Sequence, residues 1–90
     1  MTIEHITAFH RVVGVTVLPP YTVQLMFDDG MVRRIDLEPE LHGEVFEPLK
    51  DPAFFAQVHV EGGTIAWPNG ADLAPEFLYE AGEVMSPPAH

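Results

Sequence analysis

The sequence predicts an α+β fold: a three-stranded antiparallel meander plus a second β-hairpin, with two short helices packed on the sheet. Three observations predict it. Residues 11–37 alternate apolar and polar side chains around an Asp28-Asp29-Gly30 turn, the period-two signature of strands with one buried face. A second pair of short β-branched runs flanks Glu61-Gly62-Gly63. Two helix-start signals, Asp51-Pro52 and Pro75, each precede an aromatic-bearing run.

Each element has its own local reason. "RVVGVTVL" (11–18) is β-branched and ends at Pro19-Pro20, with Gly14 as a candidate bulge or close backbone approach. "YTVQLMFDDGMVRRIDL" (21–37) is a hairpin with Tyr21, Val23, Leu25 and Phe27 on one face and Thr22, Gln24 and Met26 on the other. A two-residue Asp29-Gly30 turn would set Leu25 opposite Arg34 on the core face. A three-residue loop with Gly30 in the left-handed region sets Phe27 opposite Met31, Val23 opposite Ile35 and Tyr21 opposite Leu37. The second register is preferred, because it leaves only Arg33 beside Leu25, where its stem lies along apolar surface. Pro39 opens a single helical turn that Gly43 ends. "EVFEPL" (44–49) reads as extended. Asp51 is the N-cap of a helix of about two turns carrying Phe54, Phe55 and Val58. Val58 and Val60 then face Ile65 and Trp67 across a turn at Glu61-Gly62-Gly63. Pro68-Asn69-Gly70 reverses the chain, and Pro75 starts a last helix that Gly82 terminates. Asp36-Leu37-Glu38-Pro39-Glu40 and Asp72-Leu73-Ala74-Pro75-Glu76 share the form Asp-Leu-x-Pro-Glu, a strand exit followed by a Pro-started turn.

Ninety residues, 47% of them hydrophobic, make one domain with a core that needs neither metal nor disulfide. The expected organisation is a lead-in at 1–10, a single small α+β domain at 11–80 and a mobile tail at 81–90. The core is expected from Val23, Phe27, Ile35, Phe54, Phe55, Ile65 and Trp67.

Composition narrows the function classes. The chain has no cysteine, which removes disulfides, thiolate catalysis and sulfur-ligated metals. "MTIEHITAFHR" has neither the basic leader nor the apolar run of a signal peptide, and no stretch approaches the roughly 20 apolar residues of a membrane helix. A cytoplasmic chain with no membrane partner is the expectation. Fourteen acids against four Lys plus Arg give a net charge of −10. Such a surface repels nucleic-acid backbones, so no direct nucleic-acid role is expected; it favours solubility and would attract a small basic protein. A β-rich chain with few lysines to guard a sheet edge also suggests a weak homo-oligomer by edge-strand pairing.

No residue pattern points to catalysis. The five histidines form no helical metal pair, and neither HExxH nor a phosphate-cradling Gly-rich loop is present. His59 and Glu61 share a strand face, an arrangement that suits a base but suits a solvated surface better. Asp28 and Asp29 lack the further oxygens of a calcium loop. Ser86, the one serine, sits in the tail, and Tyr21 and Tyr79 lack an activating partner in the sequence. No cofactor, no metal and no enzymatic activity are expected.

The most distinctive stretch is "GTIAWPNGADLAPEFLYE". Its favoured reading is closure of the domain. Trp67 caps the core, Asn69-Gly70 supplies positive φ, Asp72 accepts backbone N–H groups across the turn, and Leu73, Phe77 and Leu78 pin the segment down. The competing reading is a groove beside Trp67, with Trp67, Asn69, Asp72 and Tyr79 as a candidate interaction or ligand surface.

Over residues 11–80 the chain resembles the bacterial family known as domain of unknown function 2442. The resemblance rests on "RVVGVTVLPPYTVQLMFDDGMVRRIDLEPEL", "VFEPLKDPAFFAQVHV" and "GTIAWPNGADLAPEFLYE". It implies a small α+β domain of the bacterial cytoplasm and supplies no catalytic residues. Such domains are sometimes followed by a helix-turn-helix domain, which is not expected for this chain, and look like members of gene pairs suggestive of toxin–antitoxin modules. The expected function is therefore a non-enzymatic protein-binding or regulatory module, antitoxin-like. The alternative is a small-ligand-binding protein or an orphan enzyme with a site near Trp67, Asn69 and Asp72.

Overall fold

The computed structural model describes residues 10–85. The lead-in up to residue 9 and the tail from 86 lie outside the described residues. Within them, strands β1 (Val12–Leu18), β2 (Thr22–Phe27) and β3 (Val32–Asp36) form the expected antiparallel meander. The three-residue hairpin loop is the one adopted: Val23 opposes Ile35, Leu25 opposes Arg33, and Phe27 N–H bonds to the Met31 carbonyl at 2.9 Å. Gly30 takes φ +88°, the left-handed geometry such a loop demands. Val23, Leu25 and Phe27 are buried on one face of β2, while Met26 is half exposed on the other. The register between β1 and β2 slips between Val12 and Gly14, so Val13 is the extra residue of a bulge. A cis Pro19–Pro20 bond joins β1 to the start of β2.

The second hairpin, β4 (His59–Glu61) and β5 (Thr64–Ala66), is a separate two-stranded sheet. Its turn is shorter than the three residues expected. Glu61 pairs with Thr64, leaving Gly62 and Gly63, both at positive φ, as a two-residue type I′ connection. Two helices pack on the sheet, α1 (Pro52–Phe55) and α2 (Pro75–Ala81). Asp51 Oδ1 accepts the Ala53 N–H at 3.0 Å as the expected N-cap. The helix is one turn long and not two. Gln57 and Val58 bond back to the Phe54 and Phe55 carbonyls, three residues away, which tightens and ends it.

Two further segments depart from expectation. Residues 44–50 are not extended. Phe46 and Glu47 N–H both bond to the Gly43 carbonyl, and Glu47–Lys50 continues as a 3₁₀ turn with Pro48 at its start. An earlier 3₁₀ turn, Glu38–Glu40, is the Pro39 turn that was expected. The sheet also runs past residue 80. β6 (Glu83–Val84) pairs antiparallel with β3, giving the order β1-β2-β3-β6. Gly82 makes this return feasible, though not through positive φ. A Cβ there would lie 2.9 Å from both Arg33 Cβ and the Leu78 carbonyl oxygen.

The core lies between the β2 face, the helices and the second hairpin. Of the seven expected core residues, six are buried and Phe54 is half-buried. Val12, Leu25, Leu37, Leu41, Leu49, Ala71 and Leu78 complete it, each 3% exposed or less. The Asp-Leu-x-Pro-Glu echo is partial: Asp36 Oδ1 caps Glu38 N–H at 3.0 Å and Leu37 is fully buried, whereas Leu73 is half-buried.

Candidate functional site

The turn after β5 closes the domain. Trp67 is 2% exposed, so its ring faces the core and not a surface groove. Its ring centroid is 5.5 Å from that of Phe55, and its indole N–H donates to the Phe55 carbonyl at 2.9 Å. A buried indole needs such an acceptor, and the short α1 supplies it. The backbone acceptor across the turn is Asn69 and not Asp72. Asn69 Oδ1 accepts the Ala71 N–H at 3.1 Å, and its Nδ2 donates to the Val45 carbonyl at 2.9 Å. Asp72 is exposed, and its backbone forms an isolated bridge to Ala66. Trp67, Asn69 and Asp72 thus stay in one turn, while Tyr79 joins a different set of residues.

That second set is a polar knot that the sequence did not announce. The Tyr79 hydroxyl donates to Asp29 Oδ2 at 2.6 Å, across fifty positions of sequence. The His10 ring stacks on Tyr79 at 3.6 Å and 4°, and its Nδ1 lies 3.8 Å from Asp29 Oδ2. The Arg33 guanidinium sits 4.0 Å from the Tyr79 ring centroid, a cation–π contact. Arg33 Nη1 reaches the Gly82 carbonyl at 3.3 Å, and its buried Nε has no partner. The Tyr79 hydroxyl, foremost, holds the Asp29 carboxyl below its ordinary range; partial desolvation opposes this, and the Met31 N–H and His10 add smaller contributions in the same direction as the hydroxyl. Tyr79 has a carboxylate partner after all. With Met31 N–H at 2.9 Å on its other oxygen, that carboxylate is occupied by the fold itself.

Beside the knot, His10, Arg11, Gly62, Gly63, Pro75 and Glu76 line an open cleft of about 300 Å³. Arg11 is clamped there by its backbone: Asp28 N–H donates to its carbonyl at 2.8 Å, and the neighbouring Val12 N–H donates to Gly63 at 2.8 Å. Both hairpin tips therefore meet at the start of β1. His59 Nε2 lies 2.8 Å from Glu61 Oε1, and this hydrogen bond, chiefly, raises the His59 pKa. Both side chains are well exposed, the solvated strand face that the spacing favoured.

Residues 36–51 form an acidic lobe. They carry Asp36, Glu38, Glu40, Glu44, Glu47 and Asp51, all but Glu40 exposed. The one cation among them, Lys50, is paired with Glu47 at 3.1 Å. Val45, 50% exposed, lies between the two 3₁₀ turns. Among the described residues no group of three or more His, Asp or Glu could hold a metal ion, and no helix is long and apolar enough to cross a membrane.

The family model described as "Protein of unknown function (DUF2442)" matches residues 12–83, and the chain belongs to this family. No curated protein and no solved structure gave a significant match.

Proposed function

We propose that this DUF2442 domain is a non-enzymatic protein-binding or regulatory module of the bacterial cytoplasm, antitoxin-like in holding a small basic protein. The observation that supports this most is the acidic lobe at 36–51, where six carboxylates stand against a single lysine that is already paired. Closely spaced exposed carboxylates sum their fields over a Debye length of about 8–10 Å, which steers a basic surface toward them. The half-exposed Val45 adds an apolar contact inside the charged rim. A partner held this way is blocked by occupancy, with no chemistry required of the domain.

The alternative, a ligand or catalytic site near Trp67, Asn69 and Asp72, has less support. The Trp67 ring is closed into the core and the Asn69 amide is committed to Val45 and Ala71. The deciding experiment is affinity capture of the tagged chain from its native cell at low salt and at about 0.5 M salt, alongside a Glu38→Gln/Glu40→Gln/Glu44→Gln variant. The expected result is one small basic protein in stoichiometric amount, released by salt and lost from the variant while its thermal unfolding is unchanged. Recovery of no specific protein, or a partner indifferent to the variant, defeats the reading.

A further inference from the structure

The two edges of the four-stranded sheet are unlike. β6 is two residues long and carries Glu83, a short charged edge of the kind that resists pairing. β1 is seven residues long, β-branched at five of them, and has neither charge nor proline between Val12 and Leu18. The direction of its backbone groups follows from its neighbours. Phe27 N–H bonds to the Met31 carbonyl and Leu37 N–H to the Tyr21 carbonyl, so the odd-numbered residues of the β2 segment direct their main-chain groups at β3. Thr22, Gln24 and Met26 must then direct theirs at β1, where they oppose Leu18, Thr16 and Gly14. By the same alternation Val15 and Val17 turn N–H and C=O away from the sheet. Among the described residues, the one backbone bond outside the strand ladders that the β1 amides donate is Val12 N–H to Gly63, at the far end.

We infer that this edge pairs with the β1 edge of a second copy, antiparallel about a two-fold axis at Thr16. An isologous pair must match outward-facing residues with each other. With the axis at Thr16, Val15 opposes Val17 of the other copy and the reverse, so both outward residues of each strand are satisfied. Centring on Val15 or Val17 pairs only one of the two with its like. The axis also sets Thr16 opposite its own copy in a non-hydrogen-bonded pair, a favourable cross-strand match. Thr16 is exposed, and among the described residues the second hairpin, which packs against β1, bonds to its edge at Val12, four residues from the axis. The charge pattern selects the occupant. A basic segment drawn by the net −10 finds no counter-charge along Val12–Leu18, whereas a second β1 buries no charge at all. Two strand edges this short bury well under the roughly 1,200 Å² of a stable interface, so the dimer is weak and concentration-dependent.

This inference is independent of the acidic-lobe reading, and salt separates them. Screening relieves the repulsion between two copies of like charge and strengthens the dimer, while it weakens capture of a basic protein. The test uses the whole chain in analytical ultracentrifugation, at protein concentrations of ~10 to 500 µM and at low and ~0.5 M salt. The wild type is expected to show a monomer–dimer equilibrium that tightens with salt, and Thr16→Asp to raise the dissociation constant at least ~10-fold by placing two carboxylates at the axis. Because the chain has no cysteine, Thr16→Cys gives a second readout: Cα atoms about 4.5 Å apart across such a pair lie within disulfide range. Mild oxidation is expected to cross-link it, and not a Glu76→Cys control. A wild type that stays monomeric at high salt, a dimer untouched by Thr16→Asp, or equal cross-linking of the two cysteine variants overturns the inference.

Discussion

Replacing Trp67 tests the reading of the closing turn, because two of its roles can be removed separately. Trp67→Phe keeps an aromatic ring against Phe55 and deletes the indole N–H. The Phe55 carbonyl then retains one donor, Val58 N–H at 3.2 Å, so no buried acceptor is orphaned. The loss is one net hydrogen bond of ~1 kcal/mol with a smaller packing contribution, together about 1–2 kcal/mol. Trp67→Ala also removes the ring from a site that is 2% exposed, at about 3–5 kcal/mol. A domain of this length has roughly 5–13 kcal/mol in total, so the first variant lowers the melting temperature by roughly 4–16 °C and the second leaves a marginal fold. Urea unfolding followed by far-ultraviolet circular dichroism measures both. Native fluorescence supplies an independent check, since Trp67 is the single tryptophan: its emission should be blue-shifted and protected from a soluble quencher. A fully quenchable native Trp67, or an alanine variant costing under ~1 kcal/mol, would refute the closed-turn reading.

Tyr79→Phe keeps the ring between His10 and Arg33 but removes the hydroxyl that lowers the Asp29 pKa, so Asp29 should titrate at higher pH in the variant. Because the folded-state pKa is depressed, the stabilisation is present above the unfolded carboxylate pKa and is lost as pH falls through the folded value; the effect is small, since the carboxylate is partly exposed. A carbon-detected NMR titration of Asp29 checks this, and an unchanged midpoint counts against the bond. Arg33→Met removes a buried Nε that has no partner while keeping an unbranched stem along the Tyr79 ring, so chemical denaturation should place it within ~1 kcal/mol of wild type; a loss above ~2 kcal/mol would mean that the guanidinium itself holds α2 in place.

The meander was legible because several weak signals agreed. The alternation from Tyr21 to Phe27, the Asp-Asp-Gly turn and the cost of placing Arg34 against Leu25 all selected one register, and that register is the one found. Helix starts were legible for the same reason, since Asp51-Pro52 caps a helix whatever surrounds it. Some of what failed was local, and the rest depended on partners distant in sequence. Residues 44–50 look extended by composition, but the Gly43 carbonyl accepts two N–H groups and winds them into turns. β6 is two residues long, too short for any period, and exists only because β3 offers it a ladder. Tyr79 looked partnerless because Asp29 lies fifty positions away. Trp67, Asn69 and Asp72 were rightly singled out as a turn, yet the side chain accepting across it belongs to Asn69.

The polar knot and the acidic lobe illustrate how this chain divides its charge. Arg33 enters the core face because strand alternation forces it there beside Leu25. A cation in that place needs a π-face and a carbonyl, and α2 with Gly82 delivers both. The Tyr79 ring that receives Arg33 then needs an acceptor for its hydroxyl, and the hairpin loop places Asp29 there. Asp29 is therefore committed to the fold, whereas the carboxylates of 36–51 are mostly exposed, with Asp36 and Asp51 capping turns and Glu47 holding Lys50. Glu38, Glu40 and Glu44 carry no such local bond, which makes them the charges that a partner can engage without unfolding anything. The same division explains the contrast between edges. β1, free of charge, is suited to a copy of itself, while the lobe is suited to an opposite charge, and the two associations should respond to salt in opposite directions.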